Sequence, residues 1–465
     1  MRQAFTAVLG LFAGLLMGTA AASQSATPPW YAQGEFRSTQ RVAIQVRNPL
    51  DAARTNSPVV IPRAALPMLH DVQELSITLV DPTGEPRPEP SAAQRAVEGA
   101  HGRLGETNGR SVDYQLDDLD GDGLWDELFF VADFRPGEVR TMHVYLGMQQ
   151  RGWNPHRTHA AIGSYMRHTV PFWESERFGW KLWYPTDIDV YAKRRPQLMS
   201  YRLYAENLDG YAVSLIDPGL GSDIMEVADS MGGGGIGLFD DSAAPNRLSR
   251  PRFTPASPAG NFNGGPVSDT RYSFSVVANG PLRSIVRVRT MNWNTGRGRY
   301  ALEQTYTAYA GQDYTVGRVR YTQFEPDAPG AMLAVGVRRR PGETTFFRRR
   351  GIVVTAAPEI IRNPDDREAV QPNFRVDYAG TGLVVRDVFA PEYVFSEERG
   401  GNHVMRVRPP ADRSFDYLLA AGWSEGEGPR TAEAFREDVR RMAREFEAPI
   451  AFVSAAVEQR PQARQ

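Results

Sequence analysis

The stretch RYSFSVVANGPLRSIVRVRT, residues 271–290, has the pattern on which the predicted fold depends. Apolar and polar side chains alternate on both sides of the turn-forming residues Asn279, Gly280 and Pro281. Alternation with a period of two is typical of a β-strand that buries one face, and a cluster of Asn, Gly and Pro is typical of a chain reversal. The stretch therefore predicts two antiparallel strands joined by a short turn.

The same pattern continues outward from this hairpin in both directions. Further alternating segments, separated by Pro, Gly and Asp clusters, are RVAIQV (41–46), ELSITLV (74–80), MHVYLG (142–147), RYALEQTYTAYAG (299–311) and QDYTVGRVRYTQF (312–324). Consecutive strands with little helix are typical of antiparallel sheets that pack face to face. The sequence predicts an all-β protein, with an N-terminal β-sandwich over residues 36–150 and a large antiparallel β-sandwich over residues 160–427.

The N-terminal end has the pattern of an export signal. Arg2 is followed by a short apolar segment, Ala4 to Met17, and then by small residues near Ala22. A positive residue, an apolar core and a small-residue cleavage region are typical of a secretory signal peptide. We predict a signal peptide over residues 1–22, a linker over residues 23–35, and a periplasmic or secreted protein.

The C-terminal end changes from the strand period to the helix period. Apolar residues Phe435, Val439, Met442 and Phe446 recur at helical spacing after Thr431, a residue type that caps helix N-termini. The pattern predicts a short C-terminal helix and a tail within residues 428–465.

Composition excludes several kinds of partner. The 465-residue chain has a net charge of −2, whereas a nucleic-acid-binding protein needs a basic excess. After the signal peptide no apolar run has the length of a membrane span. The run GGGGIG, residues 232–237, contains the glycine spacing of a dinucleotide loop, but a turn-like segment follows it instead of a helix. We predict no nucleotide cofactor, no nucleic acid partner and no membrane span.

The acidic stretch DDLDGDGLWDELFF, residues 117–130, resembles a calcium loop. Alternating carboxylates in a turn repel one another unless a cation neutralises them. Position twelve of such a loop is occupied by Phe129 instead of an acid, and Glu127 could substitute by a shorter path. The alternative is an ordinary Asp-Gly hairpin turn. The other predicted ligands of a structural calcium ion, through side chains or the Leu124 carbonyl, are Asp118, Asp120, Asp122, Leu124 and Asp126.

A second stretch, WESERFGWKLWYPTDIDVYAKRRP at residues 173–196, places aromatic rings beside carboxylates and cations. Of the 53 Lys and Arg residues, Lys181 and Lys193 are the only lysines, and both lie here. Sugar faces stack on aromatic rings while hydroxyl and uronate groups take polar contacts, so the stretch predicts a saccharide site. The alternative is a pair of aromatic strands whose rings form a core. The predicted substrate-binding residues are Trp173, Trp180, Trp183, Arg194 and Tyr201.

Several motifs, taken together, resemble one protein family. They are NPL (48–50), SPVVIP (57–62), DLDGDGLWDE (118–127), GWKLWYPTDIDVYAK (179–193), SDIMEVADSMGGGGIGLFD (222–240) and GPLRSIVRV (280–288). On these motifs the chain resembles domain of unknown function 4861, a family of secreted bacterial proteins met beside polysaccharide-degrading genes. The segment from residue 279 onward also resembles galactose-mutarotase-like β-sandwiches. Both resemblances imply that the protein handles sugars.

The combined pattern favours a lyase that acts on an acidic polysaccharide or oligosaccharide. β-Elimination next to a uronate requires a cation for the carboxylate, a base, and an acid for the leaving oxygen. The alternatives are a glycoside hydrolase with two carboxylates, drawn from Glu174, Glu176, Asp189 and Asp223, and a non-catalytic glycan-binding protein. For the lyase, the candidate cations are Lys181, Lys193 and Arg194, the candidate base and acid are Tyr191 and Tyr201, and Asp189 would orient the lysine.

Two further strands predict a basic surface. Alternation places Arg287 and Arg289 on one face of their strand, and Arg318 and Arg320 on one face of theirs. If the two faces coincide, they form a surface that attracts a polyanionic chain. The alternative is a solvated face in which each arginine pairs with a nearby acid.

Overall fold

The structure of the protein, a computed structural model, confirms the predicted all-β class. The predicted signal peptide, residues 1–22, lies outside the described residues. No helix in the described part of the chain has the length and apolar character needed to cross a membrane. The described residues are 29–98, 104–149, 154–165, 168–183, 187–201, 219–225, 227, 230–251, 269–361, 374–397 and 400–461.

The N-terminal domain is a β-sandwich of two small antiparallel sheets. Its strands are β1 (Ala32–Gln33), β2 (Gln40–Arg47), β3 (Arg54–Pro62), β4 (Ile77–Asp81), β5 (Glu106–Thr107), β6 (Arg110–Ser111), β7 (Gln115–Asp117), β8 (Glu127–Phe134) and β9 (Val139–Leu146), with helix α1 (Ala92–Glu98) between β4 and β5. One sheet contains the order β2-β9-β4-β6 and the other the order β3-β8-β7. Apolar side chains of alternating strand positions, including Ile44, Leu128 and Val144, form its core.

The described part of the predicted linker packs as part of this domain. Tyr31 is buried, and its backbone N–H donates to Tyr145 Oη at 2.9 Å. Strand β1 pairs with β5, which fixes the lead-in against the sandwich. The aromatic pair Trp30 and Tyr31 supplies the apolar area that a flexible linker lacks.

The large domain is a sandwich of a nine-stranded and an eight-stranded antiparallel sheet. Its strands are β10 (Thr158–Tyr165), β11 (His168–Ser175), β12 (Phe178–Trp183), β13 (Asp187–Lys193), β14 (Gly221–Asp223), β15 (Gly235–Phe239), β16 (Arg271–Asn279), β17 (Arg283–Asn294), β18 (Gly298–Tyr309), β19 (Tyr314–Pro326), β20 (Met332–Arg338), β21 (Thr345–Arg349), β22 (Ile352–Ile361), β23 (Phe374–Val385), β24 (Glu392–Ser396), β25 (Asn402–Val407) and β26 (Ser414–Trp423). The first sheet has the order β10-β11-β12-β13-β15-β20-β25-β24, with β14 also paired to β13, and the second has the order β16-β17-β18-β19-β26-β23-β22-β21.

The predicted hairpin at residues 271–290 forms strands β16 and β17. The two strands pair antiparallel, with a register shift between Val276 and Ala278. Val286 and Val288 face the core between the sheets, and the arginines between and after them face outward. Each of the two strands buries one face, and this burial produces the alternation from which the segment can be recognised.

The C-terminal segment contains a helix and an additional strand. Helix α2 (Ala432–Glu447) is capped by Thr431, whose hydroxyl accepts from Ala434 N at 3.2 Å. Its buried face packs on the outer side of the eight-stranded sheet. The chain then forms β27 (Ala451–Gln459), which pairs with β2 and adds a fifth strand to the first N-terminal sheet. Residues predicted as a tail therefore complete the N-terminal domain.

The glycine run at residues 232–235 has a structural reason. Gly232 has φ of 58°, and a Cβ there would lie 2.4 Å from the carbonyl oxygen of Ile188. Gly233 N donates to Ile188 O at 2.7 Å, and Ile188 N donates to Gly234 O at 2.8 Å. Glycine is needed because the backbone of this turn lies directly on strand β13.

Candidate functional site

Charged side chains gather on the outer face of the nine-stranded sheet, where strands β11 to β14 lie side by side. In β13 the apolar residues Ile188, Val190 and Ala192 face the core between the two sheets. The intervening residues face the other way, as the alternation predicts, and they too are buried. Polar groups buried in this way need partners on neighbouring strands. The residues of this outer row are Asp187, Asp189, Tyr191 and Lys193.

Four residues form one connected group, which we name the Lys181 cluster: Lys181, Asp189, Tyr191 and Asp223. Lys181 Nζ donates to Tyr191 Oη at 2.7 Å and lies 3.2 Å from Asp189 Oδ2, and Asp189 is hydrogen-bonded to Asp223. Strand register explains the grouping, because Lys181 lies opposite Asp189 and Tyr191 opposite Asp223. Asp223 is partly exposed, whereas the other three residues are buried.

The two carboxyl groups of the Lys181 cluster hold protons more firmly than ordinary aspartates. Burial raises the pKa of Asp189, although Lys181 opposes the rise. Burial, and then the neighbouring charge of Asp189, raise the pKa of Asp223 well above its usual range. Two carboxyls in contact cannot both ionise readily, so burial and mutual repulsion favour a state with one proton between them. Such a pair can both accept and release a proton.

Arg340, which no local sequence pattern indicates, lies beside this cluster. It is 2% exposed, its Nη1 donates to Ile224 O at 2.5 Å, and its charge interacts with that of Asp223. Glu359 Oε2 lies 3.6 Å from Arg340 Nη1. Burial lowers the pKa of Arg340 to about 10. Its Nε and Nη2 atoms are buried and have no hydrogen-bond partner within the described part of the chain.

Lys193 belongs to a separate buried group with Glu174. The two side chains form an ion pair with 0% exposure on both sides, and Lys193 Nζ also donates to Ser175 O at 2.6 Å. The Glu174 carboxylate accepts from the backbone N–H groups of Met199 and Ser200, each at 2.8 Å. Burial lowers the pKa of Lys193, and Glu174 opposes that change. Both charges are therefore satisfied inside the protein, as a buried pair requires.

Two of the predicted substrate-binding tryptophans lie in the core. Trp173 and Trp180 face the opposite side of their strands from the Lys181 cluster. Trp173 stacks on Tyr306 with ring centroids 4.7 Å apart, and its Nε1 donates to Thr315 Oγ1 at 2.9 Å. A saccharide cannot reach these rings, and their role is to hold the two sheets together. The side chain of Trp183 lies outside the described residues.

The other predicted residues have partners outside the cluster or lie at the surface. Glu176 pairs with Arg157 at 2.7 Å and accepts from Gly311 N at 3.1 Å. Arg194 pairs with Glu425 at 2.7 Å and lies over the ring of Trp423, 5.3 Å from its centroid. Tyr201 is 50% exposed.

The acidic loop brings several predicted ligand atoms together. Carboxylate oxygens of Asp118, Asp120 and Asp126 lie within 4.8 Å of one another. The backbone N–H groups of Gly121 and Gly123 donate to Asp118 and lower the pKa of its carboxyl.

The remaining acids of this stretch have other partners. Asp122 accepts from Leu124 N at 2.8 Å. Glu127, predicted as a possible ligand, instead pairs with Arg283 at 2.7 Å, and Asp117 binds the same arginine. Arg283 belongs to β17 of the large domain. It is buried, and because a buried guanidinium needs acidic partners, two acids pair with it. Glu127 therefore stabilises the contact between the domains.

Comparison with known proteins gives one family and two distant structural likenesses. The chain matches the family described as Domain of unknown function (DUF4861) over residues 46–452, and no curated protein matches it. Matching solved structures include a glycosyl hydrolase family 38 protein from Enterococcus faecalis, with 9% identity, a TM-score of 0.46 and coverage of 92% of this chain and 49% of that one. Another is an alpha-mannosidase from Enterococcus faecalis V583, with 9% identity, a TM-score of 0.45 and coverage of 92% and 47%. The chain spans about half the length of these proteins. A likeness this distant carries no inference about the reaction of this chain.

Proposed function

The chain belongs to the DUF4861 family, and we propose that it is an exported enzyme that cleaves a uronate-containing polysaccharide or oligosaccharide by β-elimination. The observation that carries this proposal is the Lys181 cluster, which links two carboxyls, an ammonium group and a phenol by direct contacts. The signal-peptide pattern of residues 1–22 supports export, and the family resemblance supports a carbohydrate substrate.

The cluster offers both proton transfers of an elimination. The carbon next to the uronate carboxylate loses its proton to the Asp189 and Asp223 pair, which already shares one proton and gains a second. The electron pair forms a carbon–carbon double bond, the glycosidic carbon–oxygen bond breaks, and Tyr191 Oη gives its proton to the leaving oxygen. The Lys181 ammonium stabilises the phenolate, and because it contacts both Asp189 and Tyr191 it can return the proton from the pair to the phenol.

Arg340 would hold the uronate carboxylate during this reaction. Proton loss beside a carboxylate builds negative charge that a nearby cation must stabilise. The two donors of Arg340 with no partner among the described residues suit a planar carboxylate, whereas Lys193 already serves Glu174. Arg340 therefore takes the role for which the sequence pattern favours Lys193, Lys181 or Arg194.

Carboxyl spacing favours elimination over a hydrolase with two carboxylates. Such hydrolases keep their carboxyls roughly 5 Å or more apart, so that a sugar or water fits between them. Asp189 and Asp223 are in hydrogen-bond contact, which leaves no such room. Glu174 and Glu176, the other candidates, are committed to Lys193 and Arg157.

A polysaccharide panel tests the proposal. We expect the full chain to release products with the ultraviolet absorbance of an unsaturated uronate from at least one carboxylated polymer. Arg340→Gln should raise KM and lower kcat on that polymer, and Arg436→Gln, at a helix surface position, should change neither. New reducing ends without absorbance would establish a hydrolase, and binding without product would establish a glycan-binding protein. Either result overturns the proposal.

We also propose that the acidic loop binds a structural calcium ion, with Asp118, Asp120 and Asp126 as carboxylate ligands. Chelator should then lower the melting temperature, because a ligand at a hundredfold excess over its dissociation constant stabilises a fold by about 2.7 kcal/mol. Asp120→Ala should abolish the response to chelator, and Asp71→Ala, an exposed acid outside the loop, should preserve it. Identical melting curves of the wild type with and without chelator would contradict this proposal.

A further inference from the structure

We propose that the outer face of the eight-stranded sheet is a binding surface for the uronate polysaccharide chain, separate from the Lys181 cluster on the other sheet. The inference rests on the proposed function for the class of ligand. We name this surface the arginine face and define it by Arg287, Arg289, Arg318 and Arg320. Their strands β17 and β19 are separated by β18.

Strand register places the four arginines in two rows across neighbouring strands. The first row is Ser275, Arg287, Thr305, Arg318 and Asp416, and the second row is Ser273, Arg289, Glu303, Arg320 and Ser414. The two predicted faces therefore coincide. Five strands at about 4.8 Å spacing make each row roughly 20 Å long, which suits an extended chain better than a small anion.

Positive charge exceeds negative charge on this face. Glu303 lies between three arginines, at 3.7 Å from Arg287, 3.1 Å from Arg289 and 3.8 Å from Arg320. One carboxylate cannot neutralise three guanidinium groups. The other acid of the rows, Asp416, is paired with Arg386 at 3.0 Å, and both Asp416 and Asp412 also interact electrostatically with Arg318. The whole chain has a net charge of −2, so this basic surface is a local feature, and it favours an anionic ligand.

Three of the four arginines are accessible to such a ligand. Arg289 and Arg320 are 56% and 58% exposed, and Arg318 is also exposed. Helix α2 covers the other half of the same sheet, where Arg386 lies 4.1 Å from the ring centroid of Phe446. On the opposite side, Arg287 donates to Leu119 O in the acidic loop. The uncovered strip between these borders also presents serine and threonine hydroxyls, which can bind sugar hydroxyls.

Binding of polygalacturonate to the full-length protein at low and high salt tests the inference. The double variant Arg289→Ala with Arg320→Ala should weaken binding by roughly 3- to 30-fold, the effect of removing two exposed charge contacts. The matched control, Arg436→Ala with Arg440→Ala on helix α2, should leave binding unchanged. Wild-type binding should weaken as salt increases. A neutral galactomannan should not bind this surface.

The same variants separate this inference from the proposed reaction. Cleavage of a short uronate oligosaccharide should be equal in the wild type and the Arg289 and Arg320 double variant, because a short substrate needs the Lys181 cluster alone. Salt-sensitive binding without any cleavage would contradict the proposed reaction but would still support polysaccharide binding at the arginine face. Three results would contradict binding at the arginine face. They are equal affinity of the two double variants, binding that does not depend on salt, and no binding by the wild type.

Discussion

Asp223→Asn is expected to lower turnover by about 10²- to 10⁴-fold, the usual contribution of a general acid or base. Asparagine keeps the shape of the side chain and can still hydrogen-bond to Asp189, but it cannot accept the proton that elimination releases. The fold should survive, because the neutral amide resembles the protonated carboxyl that the buried site favours. Steady-state kinetics on the uronate substrate, with Asp71→Asn as an exposed control, measures the effect.

The same substitution should also change how stability depends on pH. The pKa of Asp223 is raised in the folded protein, so above the ordinary aspartate pKa the folded state binds a proton that the unfolded state releases. Stability of the wild type therefore falls as pH rises from the ordinary pKa toward the raised one, by about 1.4 kcal/mol per pH unit for one proton. Denaturant unfolding at several pH values should show a flatter dependence in Asp223→Asn. Wild-type activity in this variant would remove Asp223 from the reaction, and equal pH slopes would exclude the shared proton.

The fold was predictable because its strands bury one face at a time. Residues 271–290 alternate clearly, and the structure places their apolar side chains between the sheets. Strand β27 was missed because AFVSAAVEQ is rich in alanine and does not bury alternate residues, and its strand state depends on pairing with β2 far away in the chain. Tertiary pairing of this kind leaves little trace in local sequence.

The candidate site was predictable within a strand but not between strands. Alternation along DIDVYAK is enough to place Asp189, Tyr191 and Lys193 on one face of a strand, and in the structure they lie on one face of β13. The register with β11, β12 and β14 decides which of these residues share a partner. Spacing along the chain does not contain that information. Arg340 had no local signal, since it follows β20 as one arginine among many.

Lys193→Ala is expected to destabilise the protein by about 3–5 kcal/mol, the cost of removing one partner of a buried ion pair. Lys193 and Glu174 are fully buried, and the truncation would leave the carboxylate of Glu174 without its cation in a site closed to water. Lys193→Arg should also destabilise, because a planar guanidinium does not fit where a compact ammonium reaches both Glu174 and Ser175 O. Denaturant unfolding measures both variants.

Paired substitutions identify the cause of this loss. Lys193→Met combined with Glu174→Gln should lie much closer to the wild type in stability than Lys193→Ala, because no uncompensated charge remains in the core. Arg194→Ala, which removes a partly exposed neighbour paired with Glu425, should cost about 1 kcal/mol or less. A stable Lys193→Ala protein that lacks turnover would contradict the structural role. It would instead support the catalytic role that the sequence pattern predicts, because turnover would then be lost in a protein that keeps its fold.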